Sequence, residues 1–525
     1  MTFSHADELA LLATLVAVAA FLTLAPITRI PYPILLVLGG LGLGVVPGIP
    51  NVQLPPDLVL IAILPPLLYG SAFFTSLREL RRNLRSIALL SIGLVLMTTG
   101  VVAIVAHLAV GLPWASAFVL GAVISPTDPI AASEIARRHG IPRRIITVVE
   151  GESLLNDGTG LVAYRVAVAA VVAGSFSPGE ASGRFVITVI GGIAIGLAVG
   201  HVVRLVRRRL DDPPTEIAIS LLTGFFAYLP AEALGVSAVL AAVTAGIYLG
   251  WHAPELTTVQ QRLQGFAVWE IMTFVLNALL FVLIGLQLPS VLDALANRSA
   301  ASLIGDAAIV ALAVIVTRFL WIFPTMYLPK VLRSRNPLPP WQAPVLLGWC
   351  GMRGAVSLAA ALALPLTTDA GTPFPGRDLI VFLTFGVILA TLVGQGLTLP
   401  VVIRLLDLKA DGTAERQEAK ARIHAAHAAI ARLEELRGED WVRDDTAERL
   451  QGSYRFRVNR FQSRLDDDAD DGIEERSAAF QRLRRELLEA ERSAIIELRS
   501  AGHIDDEVMH LVERDLDLED ARLDL

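Results

Sequence analysis

Between residues 9 and 406 the chain is a succession of apolar runs separated by short loops, and the loops hold most of its arginine. A helix that crosses a bilayer needs roughly 20 mostly apolar residues. Thirteen such runs, bounded by charge or by proline, fall at 9–25, 34–49, 58–74, 87–109, 115–135, 145–172, 185–206, 217–234, 236–250, 266–286, 303–327, 345–364 and 379–406. Inside lipid every backbone N–H and C=O must be bonded within the protein, and a helix does this alone. The expected fold is therefore an all-α polytopic membrane protein of about 13 transmembrane helices. Only 18% of the residues are charged, against about a quarter in soluble domains, which excludes an ordinary cytosolic enzyme.

The formal net charge of −7 hides two unlike parts. Residues 1–408 hold 24 Lys and Arg against 21 Asp and Glu, whereas residues 409–525 hold 20 against 30. No part is basic enough to make nucleic acid a partner. The single cysteine, Cys350, excludes an intramolecular disulfide and a cysteine-cluster metal site, and no cofactor is expected. Met1 to Ala10 lack the basic start of a cleaved signal, so the first helix is expected to be retained.

Cytoplasmic loops carry the excess of Arg and Lys. Loops after odd-numbered runs contain Arg29; Arg78, Arg81, Arg82 and Arg85; Arg137, Arg138, Arg143 and Arg144; Arg207, Arg208 and Arg209; Arg262; and Lys330, Arg333 and Arg335. Loops after even-numbered runs offer Arg184, Arg298 and Arg377. This alternation predicts a multi-pass protein of the cell membrane, with the N-terminus outside and the C-terminal tail cytoplasmic.

The chain divides into a transmembrane domain over 9–406 and a helical tail over 409–525. In the tail, apolar residues recur at helical spacing, at Ile423, Ala426, Ile430, Leu433 and Leu436 and again at Phe480, Leu483, Leu487, Leu488 and Ile495. The acidic run Asp466, Asp467, Asp468, Asp470 and Asp471 reads as a solvated linker. The pair His424 and His427 lacks a carboxylate at metal-binding spacing and reads as a solvated helix face.

Function is carried by the polar residues that defy the apolar runs, since an ionisable group near the bilayer centre costs about 2.5–3.5 kcal/mol on insertion scales. Run five contains Ser125-Pro126-Thr127-Asp128-Pro129. The prolines remove backbone donors and disfavour helix before them, so the helix should break and free carbonyl oxygens at mid-depth. Run six contains Gly151-Glu152-Ser153-Leu154-Leu155-Asn156-Asp157. At i,i+4 spacing, Ser153 and Asp157 share one face and Glu152 and Asn156 the next. Asp157 lies roughly 18 Å from the cytoplasmic end of its run at 1.5 Å per residue. It is thus placed to face Asp128 near the midplane.

Run twelve carries Gly348-Trp349-Cys350-Gly351-Met352-Arg353-Gly354, three glycines around one buried arginine. Runs five and twelve cross in opposite directions, and interrupted helices at matching places of two oppositely oriented halves mark an inverted-repeat secondary transporter. Runs one to six and eight to thirteen form the repeats, with run seven linking them. Asp128, Glu152, Asp157 and Arg353 together form the candidate site. Glu232 and Asn277 fit a site or a helix contact equally, and Arg165, Arg318 and His107 read as snorkelling or structurally paired residues.

The segments SPTDPIAAS (125–133), GESLLNDGTG (151–160) and GMRGAVSLA (351–359) resemble signatures of the monovalent cation/proton antiporters, in the NhaP/NHE branch of sodium/proton exchangers. AYLPAEALGVSAVLAAVTAG (227–246) and WEIMTFVLNALLFVLIGLQL (269–288) resemble that family too. The resemblance implies that Asp157 binds Na+ or a proton, and that Asp128, Thr127 and Ser153 complete an oxygen shell. It implies that Asn156 braces the unwound part of run five and that Glu152 pairs with Arg353. An Asn-Asp pair goes in this family with electroneutral exchange, and the family implies a homodimer and an elevator-like or rocking motion. One departure stands out. Many relatives carry an acid after the LPPLLY-like stretch, where this chain has Gly70 and Ser71.

The expected reaction is a competition in which a hard cation and a proton seek one buried carboxylate. Coupling follows if the carrier reorients only when that charge is neutralised. K+ or Li+ in place of Na+ remains open, as does a cation channel lined by the same acids. A membrane enzyme is disfavoured, because no loop offers a nucleophile with its base or a metal triad.

Overall fold

The computed structural model describes residues 16–44 save 17, 26 and 29, and 58–174, 178–293, 295, 298–333, 340–408, 412–465 and 472–523. Residues 9–15 and 17 of the first apolar run and the aspartates of 466–471 lie outside the described residues. The chain forms two compact units, Met1–Lys409 and Ala410–Leu525.

In the first unit, helices overlie runs two to thirteen. Their order is α1 (Tyr32–Gly44), α2 (Val59–Phe74), α3 (Leu77–Val110), α4 (Trp114–Ile124), α5 (Ile130–Arg138), α6 (Arg143–Ala173), α7 (Pro178–Arg207), α8 (Pro213–Ala233), α9 (Ala238–Leu256), α10 (Val259–Leu286), a short α11 (Leu288–Asp293), α12 (Ala300–Arg333), α13 (Gln342–Trp349), α14 (Ala355–Leu362) and α15 (Arg377–Leu406). Five stretches are long and apolar enough to cross a membrane on length and composition, namely Leu77–Val110, Ser182–Arg207, Val259–Leu286, Ala300–Tyr327 and Arg377–Leu406.

Two of the predicted runs are split. Run five becomes α4 and α5 with Ser125 to Pro129 unwound between them, and run twelve becomes α13 and α14 with Cys350 to Gly354 unwound. Prolines at 126 and 129 end the first half-helix where the sequence placed the break. The helices beside the loops start on side-chain caps. Asp212 accepts from the Thr215 backbone N–H at 3.0 Å and from its hydroxyl at 2.6 Å at the start of α8, which holds the Asp212 carboxyl below the usual carboxylate range. Thr258 and Gln261 form a reciprocal capping box at the start of α10.

The core of this unit has distinct parts. One cluster joins Tyr69 and Ala72 of α2 to Tyr228 of α8, Leu249 of α9 and Trp269 of α10. Two others surround the split helices, with Ile124, Leu383 and Val310 in one and Met352, Phe281 and Val37 in the other.

The second unit holds α16 (Thr413–Leu436), α17 (Asp444–Ser463), α18 (Ile473–Ser500) and α19 (Asp506–Leu523). Arg484 of α18 pairs with Glu519 of α19, and Arg492 reaches Asp517 at 2.7 Å and Asp520 at 3.2 Å. The face of α16 predicted to be apolar turns inward, with Ala426 buried. On α18 Leu488 is buried and Ile495 half-buried, while Phe480, Leu483 and Leu487 are exposed. Helix-period spacing shows that a stripe exists but not what covers it. His424 and His427 are exposed, and among the described residues no group of three potential ligands is arranged for a metal.

Candidate ion-binding site at the crossing of two split helices

The unwound stretches meet. The Asp128 backbone N–H donates to the Met352 carbonyl at 2.8 Å, a bond between residues from opposite ends of the domain. Four half-helix ends therefore converge, two of them N-termini with partial positive charge and two C-termini with partial negative charge.

Charged side chains answer these ends with the opposite sign. Arg353 donates through Nε to the Ile124 carbonyl at the end of α4, at 3.0 Å. Arg318 of α12 donates through Nε to the Leu347 carbonyl in the last turn of α13, also at 3.0 Å. Asp128 serves the N-termini. Its Oδ1 accepts from the Ile130 N–H at 2.9 Å, and its Oδ2 lies against Gly354, the residue before α14. A Cβ on Gly354 would fall 1.9 Å from that oxygen, so only glycine fits here.

The acids of α6 have unlike surroundings. Glu152, 1% exposed, accepts from Arg318 Nη1 at 2.5 Å and from Nη2 at 2.9 Å, a two-pronged ion pair in the interior. It also accepts from the Thr127 hydroxyl at 3.0 Å, and that hydroxyl accepts in turn from Asn156 Nδ2 at 2.7 Å. Thr127 thus spends its proton on Glu152 and one lone pair on Asn156, and keeps one lone pair for a ligand. The Asn156 side-chain oxygen is buried without a partner. Asp157, one turn beyond Ser153 on the same face and also buried, makes no side-chain hydrogen bond among the described residues. The Asp128 carboxylate acts on it as a like charge.

The structure thus brings Asp128, Thr127, Glu152, Ser153, Asn156 and Asp157 to one place, with Arg353 beside them. It corrects the expected pairing of Glu152 with Arg353. Arg318 holds Glu152, and Arg353 donates to backbone carbonyls instead, those of Ile124 and Gly351, while its backbone N–H donates to Thr391 Oγ1 at 3.1 Å. Of the two readings of Arg318 from the sequence, snorkelling or structurally paired, the structure bears out the paired one, with Glu152 as the partner. The signal for pairing was its position near the middle of run 303–327, too deep for its side chain to reach water.

Other expectations resolve locally. Arg207, counted as a loop arginine, is buried and paired with Glu216. Glu232 pairs with Arg165 at 2.5 Å. His107 bonds the Leu112 carbonyl at 2.8 Å and stacks on Trp114, a structural role. Gly70 meets the ring of Trp269, which would sit 2.7 Å from a Cβ there. The indole N–H of Trp269 is itself held by Ser220 at 3.2 Å. An indole therefore fills the space beside Gly70.

A helical bundle with two split helices crossing at buried acids is the architecture of a secondary transporter. The transmembrane sodium/hydrogen exchanger family profile matches residues 11–405, and the chain belongs to that family of cation/proton antiporters. It is 40% identical over 504 residues to an uncharacterised Na+/H+ exchanger of Mycobacterium tuberculosis, a match covering 94% of this chain and 92% of that protein. It is 34% identical to a sodium, potassium, lithium and rubidium/H+ antiporter of Bacillus pumilus, over 82% of this chain and 66% of that one. The fold resembles that of the sodium proton antiporter MjNhaP1 of Methanocaldococcus jannaschii, with a TM-score of 0.60 at 20% identity, covering 76% of this chain and 99% of that chain.

Proposed function

We propose that the protein exchanges Na+ for H+, one for one, across the cell membrane and so serves pH and sodium homeostasis, with Asp157 as the carboxylate both ions share. One observation carries this reading. Among the acids at the crossing, Asp128 caps a half-helix and Glu152 is held by Arg318, whereas Asp157 has no donor among the described residues. Burying a carboxylate without donors disfavours its charged form, so a proton or a cation must complete it. Thr127, Ser153 and Asp128 supply further oxygens for a hard, oxygen-seeking cation, and Asn156 holds Thr127 in place.

Coupling follows from that competition. With neither ion bound, Asp128 and Asp157 face each other as like charges, and moving them through a closed state is costly. With Na+ or H+ bound, the charge on Asp157 is neutralised and the site can turn to the other side. The arginine alternation supports an N-terminus outside and a cytoplasmic tail over 409–525, with 9–406 as the exchanger domain, in a homodimer as the family resemblance implies. K+/H+ or Li+/H+ exchange is the second reading, favoured by the broad cation range in the name of the Bacillus relative.

The test is cation-induced dequenching of a pH-sensitive dye in everted vesicles, with Na+, K+ and Li+ compared. Asp157→Asn is expected to abolish exchange for every cation while the protein remains folded and its size-exclusion profile unchanged. Exchange surviving in that variant defeats the assignment of Asp157. A channel differs in passing single-channel current, and electroneutral exchange leaves the rate unmoved by an imposed membrane potential.

A further inference from the structure

A cavity of about 1,090 Å³ enters the first unit from the end that carries the exposed Arg137 and Arg143. One wall is a single face of α10, from Arg262 through Glu270 and Thr273 to Asn277. At 1.5 Å per residue that face runs roughly 22 Å into the protein. Exposure falls along it, since Glu270 is exposed, Thr273 half-buried and Asn277 only 4% exposed.

Most acids that line the cavity are already matched. Glu79 faces Arg143, Glu134 pairs with Arg138, Glu150 with Arg137 and Glu216 with Arg207. Glu270 has no ion-pair partner among the described residues, and neither has Arg262 two turns nearer the mouth, so Glu270 is the unmatched acid in the deeper part of the wall. At the inner end, the Asn277 side-chain oxygen is buried and accepts no hydrogen bond. Beside it the ring of Phe274 lies 5.1 Å from that of Tyr32, and Tyr32 is within electrostatic reach of Asp128. Tyr32, which lines the cavity together with Asn277, is thus the residue that links it to the crossing. A buried carbonyl oxygen left without a donor costs free energy, and a cation stripped of water is a partner that repairs this.

We infer that this face of α10 is an entry track for the transported monovalent cation, with Glu270 as its collecting charge and the Asn277 amide oxygen as a transient ligand before Asp157. The inference rests on the antiport reading and adds a second cation subsite to it. A neutral oxygen suits a passing ion. It replaces part of the hydration shell without holding the cation as a carboxylate would, and Glu270 draws cations in at a distance that salt screens.

The test measures the apparent KM for the cation from each membrane face, in everted and right-side-out vesicles of the full-length protein. Asn277→Leu should raise KM by up to about tenfold, the loss of one neutral ligand oxygen, from the cavity's face alone, with the maximal rate kept. Glu270→Gln should raise KM from the same face, and the rise should vanish in high choline chloride, where exposed charges are screened. An unchanged KM, or one raised equally from both faces, overturns the track. If Asn277→Leu fails to fold, Asn277→Ser and Asn277→Asp decide, the first raising KM and the second lowering it from the cavity's face. Wild-type vesicles run alongside separate the two claims, because absent wild-type exchange defeats antiport, while intact wild-type exchange with unmoved variants defeats only the track.

Discussion

At the scale of single residues, the acids of α6 differ by their neighbours and not by their depth. Glu152 and Asp157 are five positions apart and both buried, yet one has a guanidinium fork and the other no donor among the described residues. A buried pair is costly to break, because the survivor is left charged and unpaired. Glu152→Gln or Arg318→Met alone is therefore expected to destabilise the protein by about 3–5 kcal/mol. The double variant should recover most of that loss, since a matched neutral pair leaves no stranded charge. Thermal unfolding in detergent, followed by size-exclusion fluorescence, reads the cycle. A double variant no more stable than either single one would show that the pair is not the unit of stability. Arg353→Met should be milder for Glu152, because its guanidinium serves carbonyl groups.

At the scale of elements, the sequence announced both interruptions. Pro126 and Pro129 forbid a continuous helix, and Gly351 and Gly354 loosen the matching place in run twelve, so the crossing was legible before any coordinates. What could not be read was which arginine meets which partner. Arg318 and Arg353 both lie in apolar runs, and the choice between them depends on how α12 lies beside α13, a tertiary fact with no local spacing. Nor did the sequence show that Trp269 occupies the room above Gly70, because residues 70 and 269 meet only through the packing of α2 on α10. The crossing itself is open to test at Gly354. Gly354→Ala places a methyl on the Asp128 carboxylate, and is expected to remove transport while leaving far-UV helix content near wild type. Normal transport in that variant would mean that the two unwound stretches tolerate separation.

At the scale of the whole molecule, the charge asymmetry between alternate loops predicts a direction in the membrane, and the one cysteine makes that expectation measurable. Cys350 is buried, so it offers no background to a membrane-impermeant maleimide. Single cysteines placed at Ser182 and Arg82, both exposed, should label differently in intact cells. Ser182→Cys is expected to react from outside, and Arg82→Cys only after permeabilisation. The opposite pattern would invert the topology. The Glu152–Arg318 pair also bears on how the protein is made. Chains are synthesised and inserted N-terminus first, so α6 enters the membrane with Glu152 unmatched until some 166 residues later, when α12 brings its arginine. Assembly of the centre is thereby postponed past the midpoint of translation, and a nascent chain that stops before α12 carries an uncompensated acid that marks it as unfinished.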